Sequence, residues 1–170
     1  SYGIGVHNGI PKDPLYLHWK AKSFGVHSRF IRLASDVINY MPEYVAMRIQ
    51  EALLKQNKKS KTAKILVVGV TYKKDIKDLR QSPSIDLIKN LEIKGHKVSY
   101  YDPLIPYLKI KGVNLKSVNI SKNNLAKFDC LVIATDLCRI NYKFVLDNAQ
   151  FIFDTRNVYQ GATKEKVIRL

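Results

Sequence analysis

Hydrophobic positions along the chain change rhythm near residue 62. Before it they recur at helical spacing. Leu15, Leu17, Trp19 and Phe24 punctuate a short basic segment, and Ile31, Ala34, Ile38, Met41, Val45 and Ala52 then mark a narrow apolar seam. Ser28 stands where an N-cap belongs. Pro42, which lacks a backbone donor, predicts a kink or a division of the long helix. A helix of this length would reach about 40 Å, more than a small α/β domain can cover, so the seam predicts a homodimer through residues 28–54. Burial of the same helix inside a larger parent protein is the alternative.

After residue 62 short apolar runs alternate with helical patterns. Strands are predicted over Ile65–Val70, Lys97–Tyr101, Cys130–Thr135 and Phe151–Asp154. Helices are predicted over Ser84–Lys94, closed by Gly95, and near Tyr142–Asp147. No clear periodicity is read between Tyr101 and Cys130, and Val167–Leu170 either adds a last strand or ends a helix. Apolar strands separated by crossovers of this length imply a parallel sheet with right-handed connections. The predicted class is therefore α/β: a long N-terminal helix followed by a Rossmann-like parallel sheet with helices on both faces. Three parts follow: a loop over 1–14, a helical dimerisation segment over 15–57 and a sheet domain over 62–170.

Composition narrows the partners only partly. The 170 residues carry 29 basic and 14 acidic side chains, a formal charge of +15, which favours phosphate-bearing partners without choosing among them. The densest run, Lys58-Lys-Ser-Lys61, reads as a solvated linker. Neither a recognition-helix motif nor an aromatic platform is visible, so nucleic acid is not expected as a partner. No apolar run approaches the roughly 18 residues of a membrane span, and no signal peptide is read, so no membrane partner is expected either. Cys130 and Cys138, the two cysteines, have no metal-ligand spacing; a reducing, cytoplasmic setting fits both, and no metal site is expected.

The candidate chemistry follows the first strand of the sheet domain. A strand that holds a dinucleotide normally feeds a Gly-x-Gly-x-x-Gly turn, whereas here Gly69 is followed by Val70, Thr71, Tyr72, Lys73 and Lys74. In place of bare backbone, the loop offers the aromatic face of Tyr72, the charges of Lys73 and Lys74 and the fork of Arg80, a set suited to an anionic, sugar-bearing ligand. The competing reading is an internal lattice in which Asp75 and Asp78 pair with Lys73, Lys77 and Arg80. A second polar cluster, Asp154-Thr-Arg156-Asn157, ends the strand from Phe151, where Arg156 is either an anion ligand or a partner of Asp154. Asp102 and Asp136 also lie at strand ends, where acidic residues bind ribose hydroxyls or cap a following helix, and both read as caps in preference to ribose ligands.

Tyr72-Lys-Lys-Asp-x-x-Asp78-x-Arg80-x-Ser82-Pro83 resembles the signature of the UDP-glucose/GDP-mannose dehydrogenase family in its C-terminal nucleotide-sugar domain, and the likeness extends over nearly the whole chain. That resemblance implies that Tyr72, Lys73 and Arg156 contact the UDP-sugar. It implies that Arg80 reaches the phosphates of NAD across an interdomain cleft, while Lys74, Asp75 and Asp78 order the loop. Gly3-Ile-Gly5-Val-His7-Asn8-Gly9-Ile10-Pro11-Lys12-Asp13-Pro14 resembles the active-site segment. Gly3 and Gly5 then match the substrate loop and Asp13 the catalytic aspartate. Asn8-Gly9 stands where the family has its cysteine nucleophile, whose thiolate adds to an aldehyde so that a second hydride can depart.

The family's N-terminal NAD-binding domain is not present in the sequence, so these residues alone are expected to be inactive. The wording around His7 and Tyr16-Leu-His-Trp19 leans toward the UDP-N-acetylhexosamine branch. A non-catalytic basic module on a Rossmann-like scaffold, and a purely structural interaction domain, are the other functions weighed.

Overall fold

The computed structural model describes residues 13–56, 62–110, 112–160 and 165–170. Two helices lead, α1 (Asp13–Lys22) and α2 (Arg29–Lys55). The chain then runs β1 (Lys64–Val68), α3 (Pro83–Ile93), β2 (Lys97–Tyr101), β3 (Tyr107–Ile110), β4 (Val113–Lys116) and α4 (Lys122–Leu125). It finishes with β5 (Cys130–Ile133), α5 (Tyr142–Asn148), β6 (Ile152–Asp154) and β7 (Val167–Arg169). Among the described residues five strands form a parallel sheet in the order β2-β1-β5-β6-β7. The α/β class is as expected, and the C-terminal residues resolve to a strand.

Alternate side chains of each strand enter opposite layers, as a pleat of period two requires. Ile65, Val67, Cys130, Val132 and Phe153 join α2 and α3 in one core. Leu66, Val68, Leu131, Ile133 and Ile152 join α4 and α5 in the other. Burying a leucine or isoleucine completely stabilises the fold by about 1.5–3 kcal/mol relative to exposure, which is why these runs contain no interior charge.

The local expectations are met in part. Pro42 neither ends nor divides α2, which is continuous; the proline is itself buried, with Val45, Ala46, Ile49, Ala52 and Leu53 seating the C-terminal half on the sheet. That packing outweighs one lost helical hydrogen bond. Ser28 holds the N-cap position, as expected, though without a side-chain capping bond. The segment without visible periodicity contains an antiparallel hairpin, β3 with β4, turning at Gly112 (φ +84°). Leu108 and Val113 of this hairpin fill the α3-side core.

The N-terminal half of α2 leaves apolar surface uncovered. Phe30, Leu33, Val37 and Tyr40, spaced three, four and three apart, form an exposed stripe, and Phe30 is 80% exposed. On α1, Trp19 is 71% exposed. Among the described residues no helix is long and apolar enough to cross a membrane, so the stripe is not part of a span.

His96, at the turn from α3 into β2, ties the start of the sheet. Its Nδ1 accepts the Ala63 N–H at 3.2 Å, and the ring is buried. Burial, helped by the nearby Lys94 charge, lowers its pKa below the ordinary value of 6.5. A base with a lowered folded pKa contributes stability that is present above the unfolded pKa and lost as pH falls through the folded one. Denaturant midpoints are therefore expected to fall between pH 7.5 and about pH 5.5, and a His96→Gln variant should flatten that part of the profile. An identical slope in the variant would assign the acid sensitivity elsewhere.

Candidate functional site at the carboxyl edge of the sheet

The strand order reverses between β1 and β5, because the chain leaves β1 for β2 on one side and returns to β5 on the other. Ligands of open α/β sheets bind outside the carboxyl ends of the strands at such a switch point. The segments that emerge there are 69–82 after β1, 134–141 after β5 and 155–160 after β6.

Gly69 makes the crevice tight. With φ at +84°, a Cβ built on it would sit 2.5 Å from the Thr135 Cβ, so the first loop passes directly over the second. Thr135 Oγ1 donates to the Thr71 carbonyl at 2.9 Å and fixes that approach. Beyond it the loop curls on itself, with Tyr72 N donating to the Asp78 carbonyl at 2.8 Å. Lys73 Nζ lies 5.9 Å from the centre of the Tyr72 ring. Burial and the Asp78 charge raise the Tyr72 pKa, so its hydroxyl stays protonated at neutral pH.

Arg80 grips its neighbour Asp78 in two places, Nε to Oδ1 at 3.0 Å and Nη2 to Oδ2 at 2.9 Å, on an exposed turn. The internal-lattice reading therefore holds for Asp78 with Arg80. It is corrected for Asp75, whose carboxylate accepts the Cys138 N–H across the crevice at 3.1 Å. The Cys138 contacts lower the Asp75 pKa. Lys74 reaches Asp136 at 2.6 Å, and that carboxylate raises the lysine pKa. Ser82 Oγ donates to the Val70 carbonyl at 2.7 Å and anchors the far end of the loop where α3 begins.

Arg156 follows β6. Its backbone N–H donates to Asp154 Oδ1 at 2.9 Å, while Nε donates to the Ala134 carbonyl at 2.7 Å. The arginine thus ties the end of β6 to the end of β5. Burial lowers its pKa and Asp136 opposes that shift, although a guanidinium remains charged throughout. Asp154 is spent on the turn, accepting from Tyr159 N as well.

Asp102 and Asp136 are not helix caps. Asp102, buried at the end of β2, accepts the Val70 N–H at 2.9 Å and the Leu104 N–H at 2.9 Å. A dinucleotide site needs an acidic residue of this kind turned toward a ribose and a glycine turn beneath the pyrophosphate. Here the carboxylate is committed inward and the turn carries side chains, so the β1–β2 edge does not fit NAD. Backbone strain gathers where the loops meet: among the described residues, Asp75, Gln81 and Asn157 are the non-glycine positions with positive φ, at +55°, +55° and +57°.

Asp13 opens α1, an exposed helix that packs on α2. Gly3, Gly5, Asn8 and Gly9 lie outside the described residues. The interactions that join the loops, Lys74 with Asp136 and Asp75 with Cys138 N, were not foreseen. The acidic end of a neighbouring parallel strand was the available signal.

Residues 66–161 match the family model described as the UDP-glucose/GDP-mannose dehydrogenase family, UDP binding domain. The chain belongs to this family. Tyr72, Lys73, Arg80 and Arg156 all fall within the matched span. A UDP-N-acetyl-D-mannosamine dehydrogenase of Methanococcus maripaludis is 30% identical over 172 residues, covering 96% of this chain and 37% of the relative. Another from Pyrococcus horikoshii is 35% identical over 135 residues, covering 79% of this chain and 29% of the relative. The solved structure of UDP-D-ManNAc dehydrogenase from Pyrococcus horikoshii superposes with a TM-score of 0.76 at 28% identity, over 98% of this chain and 38% of that one. The chain therefore spans less than two fifths of the length of these family members.

Proposed function

We propose that this chain is the nucleotide-sugar-binding portion of an NAD-dependent UDP-sugar 6-dehydrogenase. The reaction oxidises a sugar primary alcohol to a uronic acid for polysaccharide precursor synthesis in the cytoplasm. The observation that best supports binding is the convergence of the Tyr72–Arg80 loop and Arg156 at one switch point that does not fit NAD. In this reading Tyr72 and Lys73 receive the uridine diphosphate, Arg156 receives substrate oxygens and Arg80 turns toward cofactor phosphates supplied from another domain. The relatives named above favour a UDP-N-acetylhexosamine as substrate. These 170 residues alone are expected not to turn over, because Asn8-Gly9 offers no nucleophile and the NAD site lies elsewhere.

UDP should raise the melting temperature by mass action, by about 3–5 °C at tenfold excess over its Kd, with no comparable shift from NAD. Equal, negligible shifts from both would remove UDP binding. The exposed stripe Phe30, Leu33, Val37 and Tyr40 supports a homodimer through α2. Light scattering is expected to give twice the chain mass, and Val37→Asp, a charge placed mid-stripe, should return the monomer. A monomeric parent chain at high concentration would refute the dimer.

A further inference from the structure

Two side chains of the loop after β1 cross the switch point to the loop after β5. Lys74 Nζ lies 2.6 Å from Asp136 Oδ2, and Asp75 Oδ1 accepts the Cys138 N–H at 3.1 Å. Each joins residues more than sixty positions apart in the chain. The two loops differ in how they are held. On the β5 side, Leu137 N donates to the Tyr142 hydroxyl at 2.8 Å, and the hydroxyl of the buried Tyr159 donates to the Tyr142 carbonyl at 3.0 Å, so the residue after Asp136 is tied to a pair of packed tyrosines. On the β1 side, residues 72–78 are closed mainly upon themselves, through Tyr72 N to Asp78 O and Ile76 N to Lys73 O. The left-handed backbone of Asp75 (φ +55°) is what turns its carboxylate toward Cys138 N.

A half-exposed ion pair adds little to global stability. Its value here is local, because it fixes a self-contained loop to a rigid neighbour. We propose that Lys74 and Asp136, seconded by Asp75, form a clasp across the switch point that holds Tyr72 and Lys73 in place for the nucleotide-sugar. Both are positioning residues rather than ligands. The inference rests on the reading that this edge binds a UDP-sugar.

Asp136 gives the test its sign. Its carboxylate also lies close enough to Arg156 to influence that charge. Removing an acidic group beside an anion site strengthens anion binding if electrostatics alone acts. Loss of a clasp weakens binding instead, because the loop must then be ordered at the moment of association.

The experiment measures UDP affinity by calorimetry and amide exchange over residues 72–78. It compares the 170-residue chain with Asp136→Ala and with the charge swap Lys74→Asp/Asp136→Lys. In Asp136→Ala, exchange of the loop amides is expected to rise and UDP binding to weaken by about tenfold, with the ligand-free melting temperature within about 2 °C of the parent. The swap should move both readouts back together.

Tighter or unchanged UDP binding in Asp136→Ala overturns the clasp. So does any variant in which loop protection and affinity part company, or a fall in melting temperature large enough to explain the loss. Failure of the unsubstituted chain to bind UDP shows separately as loss of the binding reading, and the positioning role falls with it, while the exchange data still report whether the loops are joined.

Discussion

Gly69→Ala is expected to destabilise the domain by about 3–5 kcal/mol, a fall in melting temperature on the order of 10 °C or more. Two costs add. An alanine held at φ +84° leaves the conformations open to L-residues, at about 1–2 kcal/mol. The new methyl would also stand 2.5 Å from Thr135 Cβ, 2.8 Å from Thr135 O and 2.9 Å from Thr135 N. Two of these three neighbours are backbone atoms just beyond the end of β5, where Thr135 N donates to the Val68 carbonyl at 3.1 Å, so they cannot move aside as a side-chain tip would. Adding Thr135→Gly removes one overlap, leaves the other two and forfeits the hydrogen bond to Thr71 O. It should therefore not rescue the variant. A thermal melt of Gly69→Ala within about 2 °C of the parent would show that the β1 and β5 loops do not meet as closely as described.

The same glycine shows what the sequence could and could not disclose. Strands β1 and β5 were legible because a strand buried on both faces is a continuous apolar run, as in Ile65-Leu-Val-Val68 and Leu131-Val-Ile133. Helix α3 was legible from its periodic apolar positions after Ser84 and from Gly95 beyond its end, while its Ser82-Pro83 start was not read. The β3–β4 hairpin was missed although Leu108, Ile110, Val113 and Leu115 do alternate, because the phase is interrupted at the turn containing Gly112. Tertiary pairing with β2 and α3, not local pattern, decides that segment.

At the candidate site, residue types pointed to loops that meet at the switch point but not to their partners. Charge in a loop announces an interaction without naming the recipient. Asp75 looked like a neighbour for local lysines and instead accepts a backbone N–H from the β5 side. Asp102 looked like a cap or a ribose ligand, yet its carboxylate closes on Val70 and Leu104. Both outcomes depend on which strands lie side by side, and the reversal of strand order at β1 and β5 is a property of the whole sheet.

Arg156→Ala is expected to have the largest functional effect of the substitutions within the sheet domain. A charged hydrogen bond to a phosphate or sugar oxygen is worth about 1.5–3 kcal/mol, so UDP-sugar binding should weaken by about 10- to 100-fold. Alanine also leaves the Ala134 carbonyl without its Nε donor, which costs about 1–3 kcal/mol of stability when the acceptor is buried. The two losses can be separated. Arg156→Lys retains the charge but not the planar fork, so it should recover part of the affinity while leaving much of the stability deficit. If Arg156 serves only to close the turn, both variants will lower the ligand-free melting temperature and leave the UDP-sugar-dependent increment untouched. An increment lost with the guanidinium and partly regained with lysine places a cation in contact with the ligand.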